Sequence, residues 1–188
     1  MSDRVLALAE ITELERAYAL GAPTLGRAAA ALLARWRLPL RDDETFLRLA
    51  FLVWYRENEP AWLTGLEAEL PSLAQLVAER GGADALSAEA LFTLGLLLEF
   101  RPPLGADEDA ARRQARAWLA QASAREPASR LFGEWRYLVG DTDGLVGARV
   151  YAEAEVHARY AGRGELGAYL VHTLRTRLRP EGPAPATT

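Results

Sequence analysis

Residues 45–55 read TFLRLAFLVWY, and wound as a helix they place apolar side chains on nearly every face. A helix that is apolar all round is normally enclosed by other helices. Residues 91–100, LFTLGLLLEF, repeat the pattern. Two such segments predict a helical assembly with two central members. Neither run approaches the roughly 20 consecutive apolar residues that span a bilayer, so no membrane association is expected.

Across the rest of the chain Ala, Leu, Glu and Arg dominate, β-branched residues are scarce, and no strand-like alternation is visible. The fold class expected is all-α, with about ten helices packed as antiparallel hairpins, either in a repeat-like array or in a compact irregular bundle. The punctuation places them at roughly 3–20, 24–38, 43–57, 60–70, 72–80, 87–100, 107–126, 128–140, 143–161 and 164–179. Ser2, Thr24, Asp43, Ser72 and Ser87 each precede a helical run, where a side-chain oxygen can accept an otherwise unpaired amide. Pro60 and Pro71 lie where a helix can begin; Pro39, Pro102 and Pro103 lie where one must stop. Gly21, Gly81, Gly140 and Gly162 suit helix C-termini. One domain over 1–179 is expected, followed by a disordered tail, 180–188, that has no apolar anchor.

Leu91-x2-Leu94-Gly95-x2-Leu98 is followed by Ala115-x3-Leu119-x2-Ala122-x4-Pro127. This spacing resembles a tetratricopeptide unit, in which small residues let two antiparallel helices approach and large ones fill the gap between them. Leu131 and Leu138, then Gly147-x3-Tyr151-x2-Ala154, form a looser second match, so the resemblance covers roughly 89–161. RPPLGADE lengthens the first unit, and Trp135 and Arg159 stand where the family has a small residue and Pro. The resemblance implies that ligand contacts come from the first helix of each pair: Glu89, Phe92, Leu96 and Glu99, then Phe132 and Arg136.

Composition narrows the chemistry. The 188 residues carry a net charge of −4, and all 22 basic residues are Arg. Nucleic-acid affinity rests on neutralised phosphates, so this balance argues against DNA or RNA as a partner. With no Lys, neither Schiff-base nor P-loop lysine chemistry is open. With no Cys, disulfides, thiolate nucleophiles and Cys-based metal sites are excluded. The opening residues carry acidic groups through their apolar stretch and no small-residue cleavage site, so a cytoplasmic protein is expected.

The polar clusters form no complete catalytic set. Asp141 and Asp143 resemble the start of a calcium loop, but Leu145, Val146 and Ala152 fill the later ligand and glycine positions, so helix capping is the better use. Glu153 and His157 share a helical face, but His172 lies fifteen residues on, and two ligands do not make a metal site. Arg112, Arg113 and Arg116 are a set that could recognise carboxylates, but their acidic approach suggests Asp109–Arg113 and Asp109–Arg112 pairs on a solvated face. In WYRENEPAW (54–62), Trp54, Arg56 and Trp62 are interface-type residues, although five Trp also suit a helical core. In FGEWRYLVGDTDG (132–144), Arg136 and Tyr137 are the candidate contacts. No catalytic residue, metal or cofactor is expected. The leading expectation is a non-catalytic module that binds a protein or peptide through these residues. The alternative is a small helical enzyme or small-molecule binder with an internal pocket near Glu153, His157 and Arg136. A homodimer with a purely structural role fits the same residues.

Overall fold

Residues Asp43–Asn58 form α3 in the computed structural model, and every side chain from Thr45 to Trp54 is buried. The structure describes residues 4–39, 41–66, 69–102, 107–139 and 146–178. Among them all regular structure is helical: α1 Leu8–Ala19, α2 Leu25–Trp36, α3, α4 Ala61–Thr64, α5 Leu73–Glu79, α6 Ala88–Phe100, α7 Glu108–Arg125, α8 Arg130–Gly133, α9 Trp135–Leu138, α10 Val146–Tyr160 and α11 Gly164–Leu178. The second apolar run lies in α6, buried continuously from Ala90 to Glu99. α3 touches α2, α5, α6 and α11, while α6 touches α3 and pairs along its length with α7. Apolar faces of the amphipathic helices close onto these two, and one core cluster runs from Ile11 to Leu178. No helix among the described residues is long and apolar enough to cross a membrane.

Local chemistry sets the boundaries. Ser72 and Ser87 cap α5 and α6 by accepting the amides of Gln75 and Ala90. Asp42, not Asp43, caps α3, its carboxylate accepting the Thr45 amide at 2.7 Å. Thr24 caps nothing; its hydroxyl donates to the Leu14 carbonyl and ties α2 to α1. α1 begins at Leu8, where Glu10 reaches back to the Ala7 amide.

Two expected helices are cut short. The one expected over 60–70 ends at Thr64, because Gly65 takes a left-handed φ of 72° and its carbonyl would lie 1.8 Å from a Cβ on Gly26. That backbone contact with the start of α2 overrides helix propensity. The one expected over 128–140 breaks at Gly133, a poor helix residue. The break lets Phe132 stack on Phe92 at 4.4 Å. Ser2, Gly140, Asp141, Asp143 and the tail 180–188 lie outside the described residues.

A buried ion pair seats α11. The Glu15 carboxylate on α1 meets the Arg48 guanidinium on α3 at 2.9 Å, with 2% and 3% of their side chains exposed. Its other oxygen accepts the backbone amide of Glu165 in the first turn of α11 at 2.7 Å. Burial pushes the Glu15 carboxyl above its ordinary value, against the pull of Arg48 and of that amide. Burial and the charge of Glu15 push the Glu165 carboxyl up as well. Gly164, at φ 61°, must be glycine, since a Cβ would lie 1.5 Å from Glu15 Oε2.

Candidate functional site

Glu153 and His157 line one cavity with Arg175, whereas Trp54, Trp62 and Arg136 lie in different settings. Trp54 is 3% exposed, its indole N–H donates to the Arg101 carbonyl at 2.9 Å, and its ring packs on Phe51 and Tyr169. Trp54 therefore serves the core and is no accessible anchor. Arg56 is half-buried and engaged within the protein. Trp62 is 79% exposed beside Leu63, on the short helix that follows α3. Arg136 is exposed on α9, its guanidinium 5.5 Å from the centre of the Trp135 ring. Tyr137 lies in the same turn, and its side chain is outside the described residues.

The contacts implied by the repeat resemblance turn inward instead. Phe92, Leu96 and Phe132 are fully buried, and Glu89 pairs with Arg163 across the core's edge. Glu99 is 6% exposed, and it is the acid that engages the arginines of α7: Arg116 at 3.1 Å and Arg112 at 3.5 Å. Arg112 also pairs with Glu108 four residues earlier, so Glu108 and Glu99 take the place expected for Asp109. The expected Glu153–His157 pair is replaced too, because Glu153 meets Arg175 of α11 at 2.7 Å. Among the described residues no three metal-ligating side chains gather.

A different site is present. Between α5 and α7 lies a groove of about 520 Å³. α5 contributes Leu73, Ala74, Val77 and Ala78, and Leu98 of α6 contributes between the two walls. The α7 wall is a stripe at i, i+3, i+4, i+7 and i+11: Asp107, Ala110, Ala111, Gln114 and Trp118. That stripe spans about 16 Å at 1.5 Å per residue, or three helical turns. Ala74, Ala78 and Ala110 are solvent-exposed, and their short side chains keep the groove open. Asp107 and Gln114 are the polar members of the lining. Asp107 is partly committed, since it caps α7 through the Ala110 amide.

Sequence reasoning missed this groove because four of its eleven lining residues are alanine, which reads as helix-forming filler. The available signal was the α7 stripe, whose inner half (Ala115, Leu119, Ala122) packs on α6 while Ala111 and Trp118 border the groove. Compared with known proteins, the chain matches no family model, no curated protein and no solved structure.

Proposed function

We propose that the protein is a non-catalytic interaction module whose α5–α7 groove receives an amphipathic helical segment of a protein or peptide partner. The groove carries the reading: it is apolar, walled by two helices, and its α7 wall is as long as three turns of a third helix. Apolar side chains at i, i+3, i+4 and i+7 of the partner would fill it, and Asp107 and Gln114 would fix their register. Exposed Trp62 and Arg136 serve as separate partner contacts, since neither lines the groove. Gly95 and Ala115 favour the tetratricopeptide-like view of the α6–α7 hairpin, because a Cβ on Gly95 would lie 2.8 Å from Leu119 and 3.0 Å from the Ala115 carbonyl.

The test is quantitative affinity capture from the native lysate with wild-type bait and with Ala78→Arg. Ala78 is exposed, so the substitution fills the groove while leaving the melting temperature within about 2 °C. A partner enriched by wild type and lost at least tenfold with Ala78→Arg supports the groove. Partners retained equally by both baits contradict it. Self-association that Ala78→Arg abolishes would replace the partner with a second copy of the chain.

A further inference from the structure

We infer that the seam between α10 and α11 is a second site, independent of the groove, which binds a compact metabolite bearing a phosphate or a similar multiply charged oxyanion. The chain reverses between these helices at Gly162 and Gly164, whose φ values of 81° and 61° suit glycine. α11 then runs back along α10, and His172, Arg175 and Thr176 share one face of α11 at i, i+3 and i+4. His157 comes from α10, so two histidines fifteen residues apart line one cleft of about 410 Å³. Ala161 and Ala168 leave the volume unfilled. That size is metabolite-like.

The charge pattern selects the ligand. Among the described residues no acidic side chain lines the cleft, and the nearest acid, Glu153, lines the adjoining cavity that shares His157 and Arg175 with it. Neither imidazole has a hydrogen-bond partner among the described residues, and each keeps at least one N–H to donate. The Thr176 hydroxyl is occupied, donating to the His172 carbonyl at 2.8 Å. Arg175 gives its Nε to Glu153, which leaves its two terminal nitrogens as the paired donors that suit a phosphate. A metal ion would need a third ligand, and none joins the two histidines among the described residues. Two imidazoles and a guanidinium with small neighbours instead form a donor-rich receptor for an oxyanion. Glu153 stands beside it as a competing intramolecular anion.

Inorganic phosphate is the probe, titrated into the full chain at constant ionic strength against sodium chloride, with the imidazole C–H resonances followed by NMR. Saturable shifts at both His157 and His172 are expected. Arg175→Gln should weaken binding at least tenfold, and Glu153→Gln, which frees the guanidinium, should tighten it severalfold. Both side chains sit in an exposed pair, so neither change should move the melting temperature. His172→Gln gives an independent arm with the same expected weakening. Absence of saturable shifts beyond the chloride reference overturns the inference, as does unchanged affinity in Arg175→Gln. Binding to phosphatidic-acid vesicles with no response to inorganic phosphate would assign the cleft to a membrane surface and overturn it equally.

Discussion

The hairpins α6–α7 and α10–α11 are both antiparallel and both depend on glycine, yet one is shut and the other open. In α6–α7 the glycine lies within the seam: Gly95 faces Leu119, and Ala115, Leu119 and Ala122 are fully buried against α6. A buried carboxylate, Glu99, closes the end under two arginines. In α10–α11 the glycines lie at the turn, and Gly167 nearly touches the Tyr160 carbonyl, which a Cβ would approach to 2.0 Å. Beyond that point the outer seam carries His157, His172 and Arg175 around unfilled space. The closed hairpin spends its side chains on stability. The open one buries Val156, Tyr160, Leu170 and Leu174 on its inner face and is seated by the Glu15–Arg48 pair beneath the start of α11, while His157, His172 and Arg175 stay exposed on its outer face.

Removing the seat should cost most. Arg48→Met leaves Glu15 buried without its counter-charge, a loss expected to be about 4 kcal/mol by urea denaturation. Replacing both residues, Glu15→Leu with Arg48→Met, should recover much of it. If Arg48→Met costs less than about 1 kcal/mol, the pair does not position α11.

Gly95→Val comes next. Overpacking the closed seam should cost about 3 kcal/mol, whereas Ala168→Leu, which fills the open seam, should stay within about 0.5 kcal/mol. Equal losses would erase the distinction between the hairpins.

The pH dependence separates two carboxylates near the open hairpin. Burial would raise the Glu155 carboxyl, but the Ser129 hydroxyl, the Leu131 amide and Arg159 outweigh it and hold it below its ordinary value. Its stabilisation is therefore present above the ordinary glutamate range and lost as pH falls through the lowered folded-state value. Glu155→Gln should flatten the acid limb of the melting-temperature profile. Glu165 has the opposite sign: burial and Glu15 raise it, so its contribution is present below about pH 4.3 and lost as pH rises through its folded value. Glu165→Gln should accordingly make the protein more stable at neutral pH relative to pH 4. An unchanged profile in either variant contradicts its assignment.

The smallest stability effect is expected at Arg136. Its Ala variant should melt within about 1 °C of wild type, as an exposed side chain on a short helix does. If Arg136 touches a partner, capture falls while the melting temperature holds. Equal loss of both would make it a structural residue.

The all-α fold and its two central helices were legible because apolar side chains on every face leave a helix nowhere to sit but inside. Ser72 and Ser87 were legible as caps because capping is local chemistry. What was not legible depends on long-range placement. Glu15 reads as a surface acid until α1 packs over Arg48, and Glu99 until α7 brings Arg112 and Arg116 across it. Trp54 and Trp62 look alike in WYRENEPAW, but the helix ends between them, sending one into the core and leaving the other in solvent. The histidines are distant in sequence, and only the turn at Gly162 and Gly164 makes them neighbours in one cleft.

Native-state hydrogen exchange tests the contrast between the two hairpins most directly, because it reads the opening of each helix separately. Amides of α6 and the facing turns of α7 are expected to exchange only through global unfolding, while those on the outer face of α11 exchange through local opening. Exchange from α6 as fast as from the α11 cleft would contradict it.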